Sequence, residues 1–462
     1  MSNIGIVKPQ CEEWVRRDNE VIAPCQRLPF YDLVVDEAKG DFLVDVDGNQ
    51  FIDFLSSASS LNIGSRRPEI VAAITEQMNK CIQFAPVYSY NVPMIEYAEE
   101  LVKLFPLKEN ESAKVMLSYS NCGSEANDAA IKFARGKTGR SKIIAFTNSY
   151  HGNTYGSSTL SACTSKMHEK IGPMLTDVYH FTFYGNDVPN DECEKNCLRE
   201  IEDAFRTYLP ANEVAAVIIE PMQGDGGMLP AHHIFMRKLA KLCQDNGILL
   251  IAEEVQLAFW RTGKCFSIEH YLKDGAYPDG IIMGKSIGGG LVLGAFMARE
   301  NVIKSLEPPA HIFTLAGNHL SCAAGLASLR YMKTAEYQSA VEDNSGRMEK
   351  LAQQTMLKYP NIVSFVRGLG VSYGIGIMNP VTKEPDPDAA FKIVYRAYER
   401  GLVLMTLAGN VLRIQPPVNI AEDNLRRGFE ILDEAIADYI AGDIPDSVLQ
   451  YRRGRDPRIS AV

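Results

Sequence analysis

The chain carries one lysine in a setting built for chemistry: Pro278-Asp-Gly-Ile-Ile-Met-Gly-Lys285-Ser-Ile-Gly-Gly-Gly-Leu, where an apolar run delivers Lys285 into a glycine-rich turn. A lysine at the carboxyl end of a buried strand can be desolvated, which depresses its pKa and suits the amine to attack on a carbonyl. Taken alone, the segment also fits a surface lysine beside a flexible loop. Upstream, Ile248-Leu-Leu-Ile-Ala-Glu253-Glu254-Val255-Gln256 closes an apolar strand on two carboxylates. An unpaired charge is expensive there, so one of them should face a cation. A pyridinium nitrogen would serve, and Arg261 or Arg413 would serve equally. A third segment, Asn121-Cys-Gly123-Ser124-Glu-Ala-Asn-Asp-Ala-Ala-Ile-Lys-Phe-Ala-Arg135, leads a glycine and a hydroxyl into an Ala-rich helix. The first-turn N–H groups and the positive end of the helix dipole would cradle a phosphate. Ser124 as a plain N-cap is the competing reading.

The elements that must position these residues alternate along the chain. Lys142 to Phe146, Val214 to Ile219, Ile248 to Ala252 and Gly280 to Met283 read as strands; His233 to Asn246 reads as a crossover helix, with Phe235, Leu239 and Leu242 at helical spacing. Alternating β and α units imply an α/β fold with a mostly parallel sheet covered on both faces. Ligands then bind beyond the carboxyl ends of the strands. Phe42 to Leu55, with Asp47-Gly48-Asn49 as its turn, predicts a β-hairpin. After the large domain, Gln338 to Tyr359 predicts a long helix, Ile362 to Ile377 and Leu402 to Gln415 predict strands, and Glu422 to Tyr439 predicts a helix. The expected organisation is an N-terminal segment, residues 1–60, packing with the small domain; a large domain, 61–330; and a smaller α+β domain, 331–462. The tail Tyr451 to Val462, with four arginines, is expected to be a loosely held surface arm.

Composition narrows the partners. The 462 residues include 47 Lys+Arg against 57 Asp+Glu, a net charge of −10, so no global basic face exists for nucleic acid. No apolar run approaches the roughly 20 residues of a membrane span. The N-terminus, with Glu12 and Glu13, does not read as a secretory signal. Ten scattered cysteines fit reduced, buried thiols, and a cytoplasmic location is expected. Cys193 and Cys197 could share a helix face, but no second ligand pair follows, and no metal site is expected. The expected partner is a small molecule.

Together these segments resemble the class III, pyridoxal phosphate-dependent aminotransferase family of fold type I, in collinear order from about Asp41 to Ala435. The resemblance implies pyridoxal 5'-phosphate (PLP) as cofactor, bound in the large domain. It implies Lys285 as the Schiff-base lysine, Glu253 as partner of the pyridine nitrogen, Val255 under the ring and Gln256 at the phenolic oxygen. Gly123 and Ser124 would form the phosphate cup, and Tyr150 of Ser149-Tyr-His-Gly152 would stack over the ring. Thr314 in Phe313-Thr-Leu-Ala-Gly-Asn318 would reach the phosphate of the other subunit's cofactor, implying a homodimer, or a dimer of dimers, with interface active sites. Arg413 in Leu412-Arg-Ile-Gln-Pro-Pro417 would hold a substrate carboxylate, and Glu220 in Ile219-Glu-Pro-Met-Gln-Gly224 would line the pocket.

Three departures from the family pattern carry information. Glu253 stands where the family has Asp. Asn153 follows Tyr-His-Gly where many glutamate-using members carry arginine, which weakens the case for 2-oxoglutarate as acceptor. Asp225, in Gln223-Gly-Asp225-Gly-Gly, stands where aminotransferases usually show Glu. The last two, with Leu55-Ser-Ser-Ala-Ser, Lys170-Ile-Gly-Pro-Met-Leu and Pro309-Ala-His-Ile-Phe-Thr, resemble the branch of amino-acid racemases related to isoleucine 2-epimerase. That resemblance implies inversion at Cα by two acid/base groups on opposite faces, Lys285 and Asp225. An Asx turn beside two glycines is the plainer role for Asp225, and an ordinary aminotransferase is the alternative activity. Phe84, Tyr88 and Trp260 hint at an apolar pocket, although such residues more often sit in cores.

Overall fold

The computed structural model describes residues 6–452. The chain divides into two compact units, Pro68–Thr334 and a second built from residues up to Arg67 together with those from Ala335 onward. The part of the predicted C-terminal arm from residue 453 to 462 lies outside the described residues. Among the described residues no helix is long and apolar enough to cross a membrane.

The larger unit is organised by a seven-stranded sheet in the spatial order Val115–Ser120, Gly294–Arg299, Gly280–Met283, Leu249–Glu253, Val214–Ile219, Lys142–Phe146, Val178–Phe181. Neighbours are parallel except at Gly294–Arg299, which runs antiparallel to both of its partners. All six residues of Val214–Ile219 are buried. Such an unbroken apolar run, without alternation, is what a parallel strand needs when both of its faces are covered. The strand expected at Ile248 to Ala252 lies one residue later, so Glu253 becomes its last member. The helix Gly123–Thr138 presents Ala126, Ala129 and Ala130 to the core, small side chains that allow close approach to the sheet. His233–Asn246 is helical as predicted and stops at Gly247 in the left-handed conformation, φ +62°. Because Val115–Ser120 points the same way as the parallel strands, the loops after Ser120, Phe146, Ile219, Glu253 and Met283 all leave from one edge of the sheet.

The smaller unit holds the hairpin Phe42–Asp45 and Gln50–Asp53, joined in one sheet by Val35–Lys39 and Leu402–Val403. Asp45 sets its turn: one carboxylate oxygen accepts the N–H of Asp47 at 3.0 Å and that of Asn49 at 2.8 Å. A second, antiparallel sheet contains Val363–Leu369, Ser372–Ile377, Val411–Ile414 and Met405–Leu407, accompanied by the helices Ala335–Lys358, Pro387–Glu399 and Glu422–Ala441.

Just beyond the hairpin, Ser56, Ser57, Ala58 and Ser59 have φ of +47°, +47°, +56° and +66°, a complete left-handed turn. Such a run is rare, because each non-glycine residue in it is disfavoured by roughly 1–2 kcal/mol. Asp53 offsets part of this by accepting the N–H groups of Leu55 and Ser56, both at 2.8 Å. Ser57 is exposed, so its substitution reads the backbone alone: Ser57→Val should be less stable than Ser57→Gly by about 1–2 kcal/mol in urea unfolding. Equal stabilities would remove the strain.

Candidate active site

The loops at the sheet's carboxyl edge interlock through glycines that leave no room for a side chain. A Cβ at Gly284, just before Lys285, would lie 2.9 Å from Val255 Cγ1 and 3.0 Å from the Cα of Gly123. A Cβ at Gly123 would lie 2.7 Å from the same Val255 methyl. Gly152 abuts the Ser124 hydroxyl, and Gly224 abuts the amide of Gln256. Six of the predicted site residues, Gly123, Ser124, Tyr150, Val255, Gln256 and Lys285, therefore belong to loops in direct contact.

Lys285 opens a short 3₁₀ turn, Lys285–Gly288, after the buried strand Gly280–Met283, and its own φ is +50°. The helix that follows Cys122 starts at Gly123, so Ser124 is a first-turn residue and not the N-cap; its oxygen accepts the N–H of Asn153 at 3.2 Å. Asn153 also donates from its side chain to the Tyr150 hydroxyl at 2.9 Å. Thus the residue that replaces the expected arginine ties Tyr150 to Ser124.

Glu253 is buried, and among the described residues its carboxylate accepts two long hydrogen bonds, from Asn127 Nδ2 at 3.5 Å and from the N–H of Val255 at 3.4 Å. Burial pushes its pKa well above the usual carboxylate range; nearby Glu220 raises it further and Lys285 opposes the rise. Glu254 has a separate, structural role: it accepts from the N–H and hydroxyl of Ser267 and from the N–H of Ile268.

Glu220 is a clip. One oxygen accepts the N–H of Tyr150 and the other the N–H of Gly224, each at 3.0 Å, fastening the Tyr150 loop to the turn that carries Asp225. Burial raises its pKa, the two N–H groups lower it, and Asp225 and Lys285 act on it in opposite senses. That turn is closed by main chain, with the N–H groups of Gly227 and Met228 donating to the Gly224 carbonyl at 3.0 and 3.1 Å. Asp225 itself is half-buried. Burial first, and Asp225 second, push the Tyr150 phenol up to about 12.

Asn127 and His151 were not legible as site residues. Asn127 donates to the carbonyls of Gly123 at 3.0 Å and His151 at 2.9 Å as well as to Glu253. Its spacing, four residues after Gly123 on one helix face, was the available signal. His151 is buried, and burial holds its imidazole down to about 3, hence neutral.

Two predicted residues stand outside this cluster. Thr314 is exposed, on a loop whose carbonyl accepts from Gln83 at 3.3 Å. Arg413 is buried in the smaller unit, on the strand Val411–Ile414. Of the aromatic residues, Phe84 and Tyr88 are 63% and 85% exposed, so neither is a core residue of this chain. Trp260 is half-buried in a turn where it and Phe259 both take left-handed φ, +63° and +58°.

These features fit PLP. A buried carboxylate with two long hydrogen bonds suits a cationic ring nitrogen, and the glycine-lined start of Gly123–Thr138 suits a phosphate. Buried polar atoms without partners among the described residues, Gln256 Oε1, Asn127 Oδ1 and both ring nitrogens of His151, gather in the same loops. Such atoms are normally satisfied, and a polar ligand would satisfy them.

The model of the family Aminotransferase class-III matches residues 23–436. The chain is 41% identical over 439 residues to isoleucine 2-epimerase of Lentilactobacillus buchneri, covering 93% of this chain and 95% of the relative. It is 34% identical to leucine/methionine racemase of Thermococcus litoralis, covering 96% and 99%. Among solved structures, an aminotransferase of Bacillus anthracis superposes with a TM-score of 0.82 at 26% identity, covering 94% of this chain and 99% of that one. The fold is that of the fold type I transaminases.

Proposed function

We propose that this protein, which belongs to the class III aminotransferase family and is a PLP-dependent enzyme, is an amino-acid racemase or 2-epimerase acting on apolar amino acids. The observation that carries the reading is that the turn carrying Asp225 and the turn carrying Lys285 both pack against the Val255-Gln256 segment, through Gly224 and Gly284. The two racemase and epimerase relatives, named for isoleucine, leucine and methionine, support an apolar substrate.

In this reading Gly123 and Ser124 hold the cofactor phosphate, Glu253 its ring nitrogen, Gln256 its phenolic oxygen, and Val255 and Tyr150 the two ring faces. Lys285 carries the covalent link. When bound, PLP supplies an electron sink that makes the Cα–H of an amino acid acidic. Arg413 orients the substrate through its carboxylate, a planar charged fork fixing it in two directions. Glu220 lines the pocket and fixes the spacing of the Tyr150 and Asp225 loops. Lys285 Nζ or the Asp225 carboxylate takes the α-proton on one face while the other, starting protonated, returns one on the opposite face.

Thr314 is read as reaching a second subunit's cofactor phosphate, so the working form is a homodimer. Exposed apolar residues support a covered face here: Phe84, Tyr88, Tyr90 and Val92 on one segment, and Ile312 and Leu315 flanking Thr314. Ten free cysteines support a reducing, cytoplasmic setting.

The test is to incubate purified enzyme and PLP with single L-amino acids, without keto acid, and to follow the D-enantiomer by chiral chromatography. Accumulation to an equal mixture is expected for leucine or methionine, and for isoleucine an equilibrium with its 2-epimer, a diastereomer. Amine transfer that needs a keto acid, with no inversion, would replace this reading with the aminotransferase one.

A further inference from the structure

Asn127, fully buried on the helix Gly123–Thr138, engages three acceptors from three separate segments with one amide nitrogen. Its Nδ2 donates to the Gly123 carbonyl at 3.0 Å, to the His151 carbonyl at 2.9 Å and to Glu253 Oε1 at 3.5 Å. The other Glu253 oxygen accepts from the N–H of Val255 at 3.4 Å. The Asn127 oxygen is buried without a hydrogen-bond partner among the described residues. Around Asn127 the same helix buries Ala126, Ala129 and Ala130.

We infer that Asn127 is a positioning residue for Glu253: its amide nitrogen, fixed by two main-chain carbonyls, holds the Glu253 carboxylate where a protonated ring nitrogen of the cofactor meets it. The inference rests on the reading of Glu253 as the partner of that nitrogen. Four physical arguments support it. First, the amide has one workable orientation. Turned over, it would set its oxygen against two carbonyls and a carboxylate, so the nitrogen must face Glu253. A donor there favours the ionised carboxyl and opposes the burial that raises its pKa. Second, the contacts are graded in strength. The two carbonyl bonds have ordinary lengths and fix the amide plane, whereas 3.5 Å is the outer limit of a hydrogen bond. Such a contact directs the carboxylate without saturating it, so a cation displaces little on arriving. Third, packing does not call for an amide. Alanine would suit a helix face already lined by alanines, and it would bury no oxygen without a partner, which is ordinarily unfavourable. Fourth, the hold is rigid. A Cβ at Gly123 would lie 2.7 Å from Val255 Cγ1, so the start of the Asn127 helix is packed tightly against the segment that follows Glu253.

The experiment is a double-mutant cycle in the full-length chain: Asn127→Ala, Glu253→Gln and the two combined, with Asn127→Ser as a second variant. The probe is pyridoxine 5'-phosphate, which carries the ring nitrogen and phosphate of the cofactor but no aldehyde to bond a lysine. Calorimetry gives its dissociation constant, and the ultraviolet spectrum of the bound probe reports whether the ring nitrogen is protonated. Thermal midpoints report folding. Glu253→Gln and Asn127→Ala should each raise the dissociation constant about tenfold and lower the protonated fraction, whereas Asn127→Ala added to Glu253→Gln should change the constant by less than about twofold. In the enzyme loaded with PLP, Asn127→Ala should lower kcat for leucine about tenfold with KM nearly unchanged. Asn127→Ser keeps a hydroxyl too short to reach Glu253, so it should match Asn127→Ala, and it carries the cycle if the Ala variant fails to fold. If the Asn127 variants weaken the probe equally in both backgrounds, or in neither, while Glu253→Gln weakens it, the positioning role is overturned and the Glu253 reading stands. If Glu253→Gln leaves the constant and the spectrum as in wild type, the Glu253 reading falls and the inference falls with it.

Discussion

Lys285→Ala is expected to lower racemisation by at least about a thousandfold, because in the proposed reading it removes in one step the covalent attachment and an acid/base group. A Cβ at either Gly284 or Gly123 would meet the same Val255 methyl, so the turn that follows the strand Gly280–Met283 is closely packed against its neighbours. The turn itself starts at a non-glycine residue with φ +50°, a placement the neighbouring loops must enforce. Borohydride reduction of wild type followed by peptide mapping should place the cofactor label on the peptide containing Lys285, and the Ala variant should carry none. A label on another lysine, or an active Ala variant, would reject the assignment.

Asp225→Asn is expected to reduce interconversion of enantiomers by about a hundredfold or more while leaving proton exchange on the Lys285 face. An asparagine keeps the size of the side chain and the main-chain turn from Gly224 to Met228 but can no longer take or give the proton. One enantiomer should then take up solvent deuterium at Cα with retained configuration, and the other should exchange slowly. NMR for deuterium and chiral chromatography for configuration, run on wild type and variant, read the two faces separately. Full racemisation by the Asn variant would take Asp225 out of the mechanism. Loss of exchange on both faces, with the fold intact, would assign it a role in binding instead.

The sequence by itself determined the elements and their order. Val214–Ile219 and Gly280–Met283 have no polar residue with which to face water, so a strand buried on both sides was their only stable use, and the loops after such strands had to carry the chemistry. Lys285, Glu253 and Gly123 were legible because each stands at a boundary where an apolar run meets a charge or a glycine. Tertiary structure decided what those residues meet. No spacing rule shows that Gly284, Gly123 and Val255 converge, that Glu220 clips the Tyr150 loop to the Asp225 turn, or that Asn127 reaches Glu253, since these contacts join loops far apart in the chain. Glu253 and Glu254 make the point most sharply. Adjacent and chemically identical, they are separated only by the direction in which each side chain leaves the strand end: Glu254 meets the N–H groups of Ser267 and Ile268 and becomes a cap, whereas Glu253 meets two distant donors and stays electrostatically unsatisfied. Local sequence fixes residue type and element, but the environment that sets a carboxylate's charge is assembled by packing between remote segments.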